Sequence, residues 1–209
     1  MSLSTLRLAL WIAVGVAVFV FGAVSVWQAV DPTRAPRTEV ARGGLIQPSN
    51  EIGGPFSLVD GDGRPVSERD FLGHPTAMFF GFTHCPDVCP TTLAEAASWL
   101  ETLGDTARDL RFVFVSVDPE RDTPEVLKNY IAAFDSRISG LTGSREQTDA
   151  VIKAFRVYAR KVPLEGGDYT MDHTAGVYLM NRDMKFVGVI NYQEASDKAL
   201  AKLRALIAS

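Results

Sequence analysis

Leu8–Val30 is a run of 23 residues without a charge, in which only Gly15, Gly22, Ser25 and Gln28 fall outside the apolar set. As a helix rising about 1.5 Å per residue it would be roughly 34 Å long, enough for the hydrocarbon core of a bilayer. Trp11 and Trp27 stand near its two ends, where amphipathic rings favour the interface. A secretory signal has a shorter apolar region, about 7–15 residues. The run therefore predicts an uncleaved membrane anchor over residues 1–30, although Ala23-Val24-Ser25 would permit cleavage. No cysteine lies near it, which excludes a lipoprotein. Charge does not decide the orientation. Arg7 stands on one side and Arg34, Arg37 and Arg42 on the other, so counting bases alone would put the amino terminus outside.

The whole chain has 209 residues, the length of one domain with appendages. All 25 acidic residues, and every base except Arg7, follow the apolar run. A net charge of −4 is too mild for a nucleic-acid protein, and no such partner is expected. Two cysteines exclude a disulfide-rich scaffold and a four-cysteine zinc fold. Residues 31–53 are rich in Pro, Gly and Arg and read as a tether. Residues 54–209 remain for one well-buried core.

Within that remainder, Pro55–Ser67 reads as a hairpin around Asp60-Gly61-Asp62-Gly63. Thr76–Thr83 and Phe112–Val117 are apolar runs expected as buried strands. The spacing of Leu93, Ala96, Ala97, Leu100 and Leu103 predicts a helix, with Thr92 and Glu95 as its capping box. Thr123-Pro124-Glu125 opens a helix through about Phe134, and another is expected over Glu146–Tyr158. Val177–Asn181 and Lys185–Asn191 read as an antiparallel pair, followed by a helix over Ser196–Ile207. This order predicts an α/β fold, a thioredoxin-like sandwich preceded by the transmembrane helix.

Both cysteines lie in Cys85-Pro86-Asp87-Val88-Cys89-Pro90, between the first core strand and its helix. Open α/β sheets place ligand sites at the carboxyl ends of strands, and amides at a helix start favour thiolates. Three chemistries could use the pair. Dithiol–disulfide exchange normally has two intervening residues, and here there are three. Zinc would need two further ligands. Copper(I) is satisfied by two thiolates and one more donor. Of the three histidines, His74 reads as a solvated turn residue. His84 adjoins Cys85 and should point to the opposite face. His173 lies in a loop leading into a strand. The residues alone do not choose among these donors. A peroxidase reading is weak, because Thr83 stands two residues before Cys85 rather than three.

GFTHCPDVCP at 81–90, VSVDPERDTPE at 115–125 and DYTMDHT at 168–174 resemble the three signature blocks of the Sco/SenC family. The resemblance runs from about Ile52 to the carboxyl terminus. It implies a membrane-anchored, thioredoxin-fold copper metallochaperone that helps build the binuclear copper centre of cytochrome c oxidase. Carried over, the copper ligands are Cys85, Cys89 and His173, with copper held as Cu(I) and secondarily as Cu(II). Asp172 matches the family position that supports metal binding and transfer. Asp118, Arg121 and Asp122 match the second block, where helix entry and loop packing are expected to be their role. Met171 is expected as a core or loop residue. The implied partners are the oxidase's copper-binding subunit, a copper donor chaperone and a thiol reductant. The implied location is a bacterial inner membrane, crossed once, with the soluble domain in the periplasm. The alternative is a periplasmic thiol–disulfide reductase using Cys85 and Cys89 to keep oxidase cysteines reduced.

Overall fold

In Thr76–Gly81 every side chain is buried, and this strand, β3, forms the middle of a sheet rather than an edge. The structure, a computed structural model, describes residues 44–46 and 48–209. The expected anchor and most of the expected tether lie outside the described residues. Among those described, no helix is long and apolar enough to cross a membrane.

Preceding β3 are β1 (Ser57–Asp60) and β2 (Pro65–Ser67), the hairpin expected around Asp60–Gly63. After β3 come α1 (Val88–Leu103), β4 (Arg111–Ser116), α2 (Pro124–Ala132), β5 (Ile138–Thr142) and α3 (Arg145–Ala154). Then follow β6 (Ala159–Pro163), β7 (Tyr169–His173), β8 (Val177–Met180), β9 (Phe186–Ile190) and α4 (Ser196–Ile207). The main sheet has the order β2-β1-β5-β4-β3-β8-β9, and β6 with β7 forms a separate two-stranded sheet. β3, β4 and β5 are parallel, whereas β8 and β9 join antiparallel. Parallel strands need both faces covered, which is why β3 and β4 are apolar throughout rather than alternating. Phe79, Phe80, Phe112 and Phe114 fill their centre, each burial contributing about 1.5–3 kcal/mol.

Several elements depart from the sequence reading, each for a physical reason. α1 begins at Val88 instead of Leu93, so Cys89 sits inside its first turn. Thr92 is not a cap: its hydroxyl donates back to the Val88 carbonyl at 2.8 Å. Pro90 does not end the helix, because first-turn positions have no helical partner for an N–H anyway. β5 escapes sequence detection because Ser139 and Gly140 interrupt its apolar pattern. The β6–β7 hairpin escapes it too, being short, largely polar and solvated on one side. His173 therefore closes a strand and does not lie in a loop. Finally, the domain reaches back beyond Gly54. Leu45 is buried in the core, the Ile46 N–H donates to the Val187 carbonyl, and Ser49 bridges Phe186 on the β9 edge.

Candidate metal centre

The carboxyl end of β3 delivers both cysteines. The Cys85 N–H donates to the Phe82 carbonyl at 3.3 Å, which folds the chain over the strand end. One turn later the Cys89 N–H, without a helical partner, donates to Cys85 Sγ at 3.4 Å. The first cysteine sulfur thus caps the helix that carries the second. Cys89 is fully buried and Cys85 is half-buried; both are free thiols. Gly81 makes room for the buried sulfur, since a Cβ there would lie 2.7 Å from Cys89 Sγ.

The hairpin brings in the third donor. His173 Nδ1–H donates to the Thr174 carbonyl at 2.9 Å, which turns Nε2 toward Cys89 Sγ, 3.4 Å away. Phe79 and Phe82 hold the imidazole ring edge-on, with centroids 6.1 and 5.7 Å distant. The two sulfurs and one imidazole nitrogen all lie within 4.8 Å of one another. Among the described residues, the metal-ligating group assembled here is these three and does not extend to a fourth His, Cys, Asp or Glu.

The two thiols are electrostatically unequal. Hydrogen bonding from Cys89 pulls the Cys85 thiol down to about 3, with help from His173 and the Cys89 and Asp87 amides, against partial burial. Cys89 moves the other way, pushed up by its bond to Cys85 and by burial. At neutral pH the pair is one half-buried thiolate and one fully buried thiol sharing its proton.

The remaining candidates separate. His74 is at the opposite end of β3, its Nδ1 2.6 Å from Asp109, so its ring is hydrogen-bonded to a carboxylate and not merely solvated. His84 is exposed and meets the Thr83 hydroxyl, outside the ligand group. Met171 is in the core. Asp172 alternates to the outer face of β7, where its carboxylate pairs with Arg160 at 3.1 Å and not with His173. The group that orients the imidazole is the Thr174 carbonyl, a backbone atom that no side-chain pattern reveals.

The second sequence block contributes more than helix entry. Asp122 is fully buried beside the cysteine loop. It accepts from the Thr83 N–H at 3.1 Å and from the Thr83 and Ser116 hydroxyls at 2.6 Å each. Burial pushes its carboxyl above the ordinary range despite these bonds. The density of charge at a strand end, Asp118-Pro119-Glu120-Arg121-Asp122, was the available signal.

A family model described as SCO1/SenC matches residues 46–208. Among curated proteins, the mitochondrial SCO1 homolog 1 of Arabidopsis thaliana is 44% identical over 137 residues, covering 65% of this chain and 41% of its own length. Protein SenC of Rhodobacter capsulatus is 36% identical over 177 residues, 84% of this chain and 80% of that one. The chain spans about half the length of the mitochondrial relatives it matches. Among solved structures, ScoI of Bradyrhizobium japonicum with copper bound is 49% identical and superposes with a TM-score of 0.70, over 74% of this chain and 99% of that one. The α/β thioredoxin-like architecture is that of the solved Sco structures. With a family match over nearly the whole described domain, the chain belongs to the SCO1/SenC family.

Proposed function

We propose that this protein is a copper metallochaperone that carries one copper ion on Cys85, Cys89 and His173. The observation that carries the reading is the convergence of two sulfurs and His173 Nε2 within 4.8 Å. Two soft thiolates and an imidazole suit Cu(I), which accepts low coordination, whereas structural zinc takes four ligands. The copper-bound state of the related ScoI supports the choice of metal. Cys85 meets the ion already ionised, and Cys89 gives up its proton as the second sulfur bonds. Half-burial of Cys85 leaves one side of the site open, so an acceptor's ligands can enter before these leave.

The recipient is the copper-binding subunit of cytochrome c oxidase, and the ion comes from a donor chaperone. Loading needs both thiols reduced, so a thiol reductant acts upstream. We assign residues 1–30 as a single-pass anchor in a bacterial inner membrane and residues 31–53 as the tether, fastened to the sheet edge from Leu45 onward. The domain then faces the periplasm. Anaerobic titration of the purified, reduced chain with Cu(I) against a chromogenic chelator tests the reading. One tightly held equivalent is expected, and loss of it in Cys85→Ser and in Cys89→Ser. Retained binding in both variants would overturn it.

The unequal thiols favour a second reading, a thiol–disulfide reductase. The Cys85 thiolate would attack a substrate disulfide, releasing one substrate thiolate. Cys89 would then displace the other, leaving a Cys85–Cys89 disulfide for the external thiol reductant to restore. This route does not need His173, so full oxidase assembly with His173→Ala would favour it.

A further inference from the structure

The loop between β4 and α2, Val117–Thr123, touches both segments that supply the candidate ligands. Toward the cysteines, Asp122 binds the backbone and hydroxyl of Thr83, two residues before Cys85. Toward the histidine, its neighbour Arg121 binds the first residue of β7. Arg121 Nη1 donates to the Tyr169 carbonyl at 2.9 Å, and the guanidinium stacks on the Tyr169 ring at 3.7 Å. The same guanidinium donates through Nε to Asp118 at 2.5 Å, and the Tyr169 hydroxyl closes the cycle onto the other Asp118 oxygen at 2.9 Å. Asp118 is fully buried and Arg121 only 17% exposed, so this ion pair is shielded from solvent, with Tyr169 partly buried beside it. Arg121 also lies over the Phe82 ring, 5.8 Å from its centroid, and Phe82 is one of the rings that hold His173.

Among the described residues, the β6–β7 hairpin pairs with no strand of the main sheet. Beyond its two chain connections, side-chain contacts hold it to the domain, and the polar ones gather around the Arg121–Asp118–Tyr169 cycle, with Lys161 of β6 pairing with Glu120 of the same loop. We propose that Arg121 and Asp118 are positioning residues that clamp the base of β7 and so set the distance between His173 and the two cysteines. The proposal deepens the copper reading and rests on it for its functional meaning. A guanidinium is required because the clamp uses its flat face for stacking and its edge for two directed donors, which an ammonium cannot reproduce.

The test uses the full reduced chain in detergent. Arg121→Gln, Arg121→Lys and the milder Tyr169→Phe are compared by amide hydrogen exchange without metal. Cu(I) affinity is then measured for Arg121→Gln alone, His173→Ala alone and the double variant. Arg121→Gln and Arg121→Lys are expected to speed exchange of β7 amides by about tenfold or more, and Tyr169→Phe by less, with β4 and α1 unchanged. Arg121→Gln should weaken Cu(I) binding in the wild-type background and add nothing once His173 is gone. Unchanged β7 exchange, or equal losses of affinity in both backgrounds, would overturn the clamp. Should Arg121→Gln fail to fold, Tyr169→Phe carries the same exchange criterion. Failure of the copper reading is seen separately, as wild-type affinity in the Cys85→Ser and Cys89→Ser variants, while exchange judges the clamp without any metal.

Discussion

Cys89 Sγ and His173 Nε2 lie 3.4 Å apart although 84 positions separate the two residues in the chain. One is held by a helix that starts at a strand end, the other by a hairpin outside the main sheet. The consequences of that meeting can be tested one residue at a time.

Gly81 leaves the buried Cys89 sulfur its room. A methyl group there would stand 2.7 Å from Cys89 Sγ and 2.8 Å from Phe114 Cε2, both in a fully buried environment. Overpacking of this kind costs about 1–3 kcal/mol. Gly81→Ala should lower the thermal midpoint and, by displacing the sulfur, weaken Cu(I) binding as well. Calorimetry with a parallel chelator competition would check it, and an unchanged midpoint with unchanged affinity would refute the close packing.

The thiol inequality predicts a particular pH dependence. Cys85, drawn down to about 3, has no proton to lose at neutral pH, whereas Cys89, shifted upward, still holds one. Binding then releases one thiol proton. Between pH 7 and 8.5 the apparent Cu(I) association constant should rise about tenfold per pH unit. A hundredfold rise per unit would mean two protonated thiols. A flat profile would mean none.

Alkylation reads the same asymmetry without metal. Cys85 is half-buried and ionised, so iodoacetamide should modify it first, at a rate nearly constant from pH 5 to 8. Cys89, fully buried, should remain unmodified until the fold opens. Peptide mapping would settle which sulfur reacts. A rate for Cys85 that climbs tenfold per unit across this range would contradict the assignment.

Asp172 stands beside the histidine in sequence, but its carboxylate serves Arg160 on the exposed face of the hairpin. Such surface pairs contribute about 0–1 kcal/mol. Asp172→Asn should therefore change Cu(I) affinity by less than about fivefold. A loss as large as that of His173→Ala would show that the carboxylate acts on the ion more directly than this geometry implies.

The cysteine loop could be read from the sequence because the determinants are local: an apolar strand, a proline-flanked Cys pair and a helical repeat from Leu93 onward. The helix after it starts earlier than the repeat implies, because Cys85 Sγ, not the Thr92 hydroxyl, serves the first turn, and cysteine is not a residue that capping rules look for. The histidine's place was harder. β6 and β7 bury little apolar surface, so their alternation is weak, and His173 is brought in by the Arg121–Tyr169 contact over 48 positions. Asp122 looked like helix entry in sequence; its buried contact with Thr83 exists only once β3 and β4 lie side by side. Long-range polar contacts of this kind leave no period in the sequence.

The central claim is that one ion is shared by two sulfurs and the imidazole of His173. X-ray absorption of the Cu(I)-loaded chain, beside its His173→Ala and Cys89→Ser variants, tests it most directly. Two sulfur scatterers and one nitrogen are predicted, with the nitrogen lost in His173→Ala and one sulfur lost in Cys89→Ser. A nitrogen that persists without His173, or a sulfur count that survives Cys89→Ser, would contradict it.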